Sequence, residues 1–386
     1  PSLTPEDSYT ITVTVTDDDG GSDTGQIGVT VQNDPPNILF IDPVTMINED
    51  GTAELLVGFG DVGALDQHTV TIDWGDGTTP TEETLVVGAR EIFRTHQYLD
   101  DLPGENDEYT ITVTIADDDG GSASSSFTVT VENVAPTLDP LPNQTAMEGE
   151  FISLPPATFS DPGFDLSAAG TMENFTATID WGDGTSEPVE DITLTEVPGG
   201  EGMLTTGTIQ AMHAYADNGS YTATVTLFDD DGGSAASSFT VTVENVAPTL
   251  DPLPNQTAME GEFISLPPAT FSDPGFDLSA AGTMENFTAT IDWGDGTSEP
   301  VEDITLTEVP GGEGMLTTGT IQAMHAYADN GSYTATVTLF DDAGGSAASS
   351  FTVTVENVAP TLTVVENQTT SVGHRRDLPT SGVFTD

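Results

Sequence analysis

Four times along this 386-residue chain, acidic side chains crowd against a glycine pair. The runs are Asp17-Asp18-Asp19-Gly20-Gly21, Asp117-Asp118-Asp119-Gly120-Gly121, Asp229-Asp230-Asp231-Gly232-Gly233 and Asp341-Asp342-Ala343-Gly344-Gly345. Asp and Gly suit solvated turns, where the carboxylate caps backbone amides. Adjacent carboxylates also repel one another. A hard cation relieves that repulsion, and Ca²⁺ accepts roughly six to eight oxygen ligands in flexible geometry.

The composition favours cation chemistry of this kind over any other. Lys and Arg total 4 against 65 Asp and Glu, for a formal net charge of −61. The four basic residues are Arg90, Arg94, Arg375 and Arg376, so no fixed positive charge lies between Thr95 and Gly373. Such a chain repels nucleic acid and anionic membrane surfaces. No apolar run is long enough to span a membrane. Cysteine is absent, which excludes disulfides and thiolate metal sites. His96, His213 and His325 each stand in a His-x-Tyr pattern, and a lone imidazole is a poor transition-metal site. They read as structural histidines. The chain has no Gly-x-Ser-x-Gly elbow, no His-Glu-x-x-His and no glycine loop followed by Lys. Asp23-Thr24-Gly25 imitates an aspartic-protease turn once, at the start of a strand, and is a chance match. The expectation is a protein without catalytic activity.

The elements that must position the aspartates read as strands. Phe175, Ala177, Ile179 and Trp181 alternate with Thr176, Thr178 and Asp180. Tyr221, Ala223, Val225 and Leu227 alternate with threonines, and Phe239, Val241 and Val243 repeat the pattern. A period of two with Thr outward marks strands with one buried face. Short alternating strands separated by Gly, Asp and Pro predict antiparallel β-sandwiches. Self-comparison sets their number. Thr137–Pro248 recurs as Thr249–Pro360 with one difference, Asp231 against Ala343. A diverged copy occupies Asn37–Pro136 and ends in the same Val-Glu-Asn-Val-Ala-Pro. Residues 1–36 match only the second half of a repeat, and residues 361–386 only the first half. The expected organisation is therefore half a domain at 1–36, domains at 37–136, 137–248 and 249–360, and half a domain at 361–386. The halves read as parts of a longer array, with completion by neighbouring molecules as the alternative.

Strand parity then locates the acidic groups. A tandem sandwich receives the chain at one pole and releases it at the other. The B–C and F–G loops both lie at the receiving pole. The F–G loop supplies Asp117, Asp118 and Asp119, or Asp229, Asp230 and Asp231, or Asp341 and Asp342. The B–C loop supplies Asp61, Asp161 or Asp273. The arriving linker supplies Asn33 and Asp34, or Glu132 and Asn133, or Glu244 and Asn245. These residues form the candidate calcium ligands at each domain junction.

Ile179-Asp180-Trp181-Gly182-Asp183-Gly184-Thr185 resembles the Trp/Phe-Gly-Asp-Gly-Thr signature of polycystic-kidney-disease (PKD) domains. His213-Ala214-Tyr215 and Asp217-Asn218-Gly219-Ser220-Tyr221-Thr222 follow in that family's order. The same elements recur at Asp73–Thr78 with His96-Gln97-Tyr98, and at Asp292–Thr297 with His325-Ala326-Tyr327. Segment 185–212 is longer than the family's counterpart. The Val-Gln-Asn-Asp-Pro-Pro linker is loosely similar to cadherin linkers, in which junctional Ca²⁺ stiffens a rod. The resemblance implies all-β, immunoglobulin-like, seven-stranded antiparallel sandwiches arranged end to end. It also implies an extracellular or cell-surface spacer or adhesion role. The function expected is a structural rod: a surface stalk, an adhesin extender or a fibre subunit. Its partners would be neighbouring repeats or other copies of itself. The alternatives are an adhesive module for a glycan or protein, or a spacer beside a secreted hydrolase.

Overall fold

A computed structural model describes residues 6–100, 108–164, 173–187, 191–200, 202–279, 282–299, 303–363, 372–373 and 383–385. The elements among the described residues are all β-strands. Arg375, Arg376 and Asp386 lie outside them.

Residues 137–248 illustrate the architecture. One sheet has four strands in the order Thr137–Leu138, Ala157–Asp161, Thr205–Gln210, Thr193–Val197. The facing sheet has five, in the order Gln144–Met147, Ser234–Glu244, Gly219–Phe228, Thr176–Asp180, Ser186–Glu187. A two-stranded piece, Phe151–Ser153 with Met212–Ala214, lies beside them. The seven strands of the simple sandwich are therefore elaborated. The first strand is divided between both sheets, and the long segment after Trp181 adds the short strand Ser186–Glu187. The pairing Gln144–Met147 with Ser234–Glu244 is parallel and closes that sheet's edge.

The apolar alternation fills the space between the sheets. Ala177, Ile179, Trp181, Ala223, Val225, Leu227, Phe239, Val241 and Val243 form one buried cluster. Equivalent clusters form around Trp293 and around Trp74. Each core lies within its own copy. In residues 1–36 the strands Glu6–Thr16 and Ser22–Gln32 pair as a hairpin, with Tyr9, Ile11, Val13 and Val15 exposed. Thr361–Thr363 pairs with Val383–Thr385.

Candidate metal centres

The aspartate triplet first closes a hairpin. It joins Gly219–Phe228 to Ser234–Glu244, whose register places Phe228 opposite Ser234. Asp229 is buried, and its Oδ1 accepts the Gly233 amide at 2.5 Å. Its Oδ2 accepts Asn133 Nδ2 from the arriving linker at 3.1 Å. Asn33 with Asp117, and Asn245 with Asp341, repeat this clamp at 2.8 and 3.1 Å. The second aspartate, exposed, holds the loop before the next strand: Asp230 Oδ1 accepts the Asn174 amide, and Asp118 Oδ1 accepts the Gln67 amide. Asp342 Oδ2 accepts Asn286 Nδ2. The F–G loop, the B–C loop and the arriving linker thus meet at one pole. Glu132, Glu244 and Asp34 present exposed side chains there.

Two carboxylate groups reach across the junctions and include residues outside the candidate ligands the sequence names. The oxygens of Glu49, Asp100 and Glu173 lie within 4.8 Å of one another, as do those of Glu148, Asp217 and Glu285. Glu49 and Asp100 belong to the copy before the junction and Glu173 to the copy after it. Glu148, Asp217 and Glu285 repeat the arrangement one junction later. Asp161 and Asp273, both 1% exposed, complete the receiving side. A Cβ built on Gly163 would lie 2.4 Å from Glu173 Oε2 and 2.7 Å from Glu49 Oε2, so this glycine leaves room for carboxylates of both domains.

Backbone anchors aim these groups. Glu148 takes the Val246 amide on Oε1 at 2.7 Å, just beyond the last strand, and Glu49 takes the Val134 amide likewise. Asp217 is placed by Tyr221, whose hydroxyl donates to the Asp217 carbonyl at 2.8 Å while its ring stacks on Tyr215. Tyr109 holds the Asp100 carbonyl in the same way. Asp273 Oδ1 accepts the Gly275 amide at 2.7 Å. Phe276, 1% exposed, donates its amide to Ala216 of the preceding copy at 3.1 Å.

Burial makes ionised carboxylates costly here. It pushes Glu148 up to about 7, although the Val246 amide partly offsets this. Burial followed by repulsion from Asp273 pushes Glu285 up to about 8. Burial followed by repulsion from Asp161 pushes Glu173 up to about 10. Asp161 and Asp273 rise to about 6, mainly through burial.

The pole of residues 37–136 is built differently. Asp61, Asp66 and Asp117 group there, and Asp66 also groups with Asp118 and Asp119. Here Asp61 Oδ2 meets His68 Nε2 at 2.8 Å, and Arg90 Nη1 lies 3.5 Å from His68 Nδ1. In the later copies, strand register puts Phe175 and Phe287 where His68 stands, and Gly207 and Gly319 where Arg90 stands. His68 is a second histidine of its domain, outside the His-x-Tyr pattern.

The Trp-Gly-Asp-Gly segment is structural. Trp181 is fully buried and stacks on His213 at 4.9 Å, and Tyr215 donates to the Trp181 carbonyl at 3.0 Å. Gly182 has φ +80°, and a Cβ on it would lie 2.3 Å from the Thr222 carbonyl oxygen. Asp183 takes the Thr185 amide on Oδ1 and meets His213 Nε2 with Oδ2 at 2.8 Å.

No family model matches the chain. No curated protein matches it. Among solved structures it is similar to the I9–I11 tandem of titin, at 15% identity over 84% of this chain and 100% of that one, with a TM-score of 0.23. It is similar to the PKD domain of an M14-like peptidase from Thermoplasmatales archaeon SCGC AB-540-F20, at 22% identity over 26% of this chain and 99% of that one, with a TM-score of 0.20. Extracellular cadherin domains 1–5 of protocadherin gamma B2 match at 16% identity over 92% and 67%, with a TM-score of 0.25. Among the described residues, no helix is long and apolar enough to cross a membrane. The chain's own sheets, cores and Trp-Gly-Asp-Gly turns make it a PKD-like tandem of immunoglobulin-like β-sandwiches.

Proposed function

We propose that this chain is a non-catalytic, extracellular structural rod whose domain junctions are stiffened by calcium. It serves as a surface stalk, an adhesin extender or a fibre subunit. One observation carries the reading: carboxylates of consecutive domains converge at each of two junctions, the second of which lies wholly in a stretch of chain with no fixed positive charge. Without a cation, each such junction brings like charges together and favours bending away. With one, the same groups bind the two domains through a common ligand set, and a string of domains becomes a stiff spacer. The near-identity of residues 137–248 and 249–360 supports a role in which reach matters more than individual surface detail.

Small-angle X-ray scattering tests this on the whole chain at constant ionic strength. Calcium should raise the maximum dimension and sharpen the cross-section profile, and chelator should reverse both. Identical profiles in calcium and in chelator would reject the stiffening.

A further inference from the structure

We infer that a hard divalent cation sits between consecutive domains, held by Glu148 and Asp217 of one and by Asp273 and Glu285 of the next. This deepens the rod reading and rests on it only for the class of ion. Of the ligands the sequence names it keeps Asp273, and it moves the site from the F–G aspartates and the linker to a cage shared by two domains.

The geometry has two independent parts. The oxygens of Glu148, Asp217 and Glu285 lie within 4.8 Å of one another. Separately, Glu148 Oε2, Glu285 Oε1 and Asp273 Oδ2 are buried without a hydrogen-bond partner, on residues 1%, 6% and 1% exposed. Buried polar atoms are nearly always satisfied, so three orphaned oxygens at one junction call for a ligand. Each carboxylate is already oriented. Glu148 commits Oε1 to the Val246 amide, which leaves Oε2 for the cage. Asp273 commits Oδ1 to the Gly275 amide, which leaves Oδ2. Gly275 yields space, since a Cβ there would lie 2.4 Å from Glu285 Oε2. Glu260, at the position matching Glu148 in the next copy, gives its Oε2 to the Asn330 amide at 3.1 Å. Glu148 makes no such bond.

No residue between Thr95 and Gly373 carries a fixed positive charge that could supply the balance. Lysine is absent, and no arginine lies between Thr95 and Gly373. His213 and His325, the two histidines of that stretch, face Asp183 and Asp295 at 2.8 Å. The donor set is all oxygen, which suits Ca²⁺ and disfavours metals that prefer imidazole or thiolate. Asp341 is committed elsewhere, because its two oxygens accept from the Gly345 amide and from Asn245 Nδ2. Glu49, Asp100 and Glu173 reproduce the cage at the preceding junction, although Asn37–Pro136 has diverged.

The test is calorimetric titration of the chelator-stripped full chain with CaCl₂, with thermal unfolding alongside. Wild type should bind calcium and unfold at higher temperature in its presence. The variant Glu148→Gln/Glu285→Gln should bind one ion fewer. In chelator it should melt no lower than wild type, because it loses buried negative charge. Asp217→Asn, at a half-buried position, is the milder variant and should weaken the same ion about tenfold or more. Asp342→Asn should leave the count unchanged. Calcium uptake that is equal in wild type and Glu148→Gln/Glu285→Gln, and reduced in Asp342→Asn, would overturn the shared cage while leaving a calcium-stiffened rod intact. A wild-type chain that takes up no calcium would overturn both. Uptake at the cage without any change in scattering would leave the site and remove the stiffening.

Discussion

Asp183 shows how one side chain ties the signature turn to the core. Burial alone would raise its pKa. Hydrogen bonds from His213 and Thr185 outweigh that and hold it below the ordinary Asp range. Asp76 and Asp295 are lowered in the same way by His96 with Thr78, and by Thr297 with His325. A depressed folded-state value means the folded chain binds fewer protons than the unfolded chain near pH 4. The stabilisation is therefore complete at neutral pH, and is lost as pH falls through the Asp range toward the folded value. Asp183→Ala should cost about 1–3 kcal/mol, because it leaves buried donors unsatisfied. Urea unfolding at pH 7 measures this. Asp183→Asn should also flatten the acid limb: between pH 5 and pH 2 it should lose less stability than wild type. An equal loss would mean the Asp183–His213 contact contributes nothing to acid sensitivity. The motif's role in the core was legible in the sequence, because Trp181 continues the inward alternation. The Asp–His contact was not, since it joins residues thirty apart through the pairing of Phe151–Ser153 with Met212–Ala214.

At the scale of elements, the receiving pole was legible and the releasing pole was not. Strand parity brought Asp161, the aspartate triplet and Asn133 together, because each follows or precedes a strand of known direction. Glu148 lies at a turn after the short strand Gln144–Met147, whose parallel pairing with the last strand carries no local sequence signal. Asp217 depends on Tyr221 reaching back to its carbonyl. The linker is held from both sides. Asn245 ties it to the following domain through Asp341, and Glu148 ties it to the preceding one through Val246. Asn245→Ala strips a partner from a buried carboxylate and should lower the stability of residues 249–360 by about 1–2 kcal/mol. Hydrogen exchange read by mass spectrometry should place the loss in the peptides around Asp341. Gly149 is the steric counterpart. Its φ is +70°, and a Cβ on it would lie 2.3 Å from the Pro274 carbonyl oxygen across the junction. Gly149→Ala should strain its own turn by about 1 kcal/mol and force Pro274 away, breaking the Phe276–Ala216 hydrogen bond. Scattering should then show a bent junction in calcium. A profile that matches wild type would mean the close approach does not set the angle.

For the whole molecule, charge is the governing quantity, and two kinds of neutralisation must be separated. A net −61 opposes compaction everywhere, and mobile ions screen it over a Debye length of about 10 Å at 0.1 M salt. Screening is nonspecific and acts on every exposed carboxylate. Neutralisation inside a junction is local, because Glu148, Asp273 and Glu285 are too buried for diffuse ions to reach. The two effects therefore respond differently to the same salt. Raising NaCl should lift the melting temperature gradually, with no saturation at low concentration. Calcium should produce a saturating rise on top of it, at constant ionic strength and with calcium well below the sodium present. Magnesium should do less, because it demands near-ideal octahedral geometry and gives up water reluctantly. Residues 37–136 sharpen the comparison, since His68 already meets Asp61 at that domain's receiving pole and Arg90 stands beside His68. Hydrogen exchange resolved along the chain should show calcium protecting the peptides around Glu148 and Glu285 more than those around Asp61. Equal protection at all three places, or the same protection from sodium at matched ionic strength, would reduce the effect of calcium to screening alone.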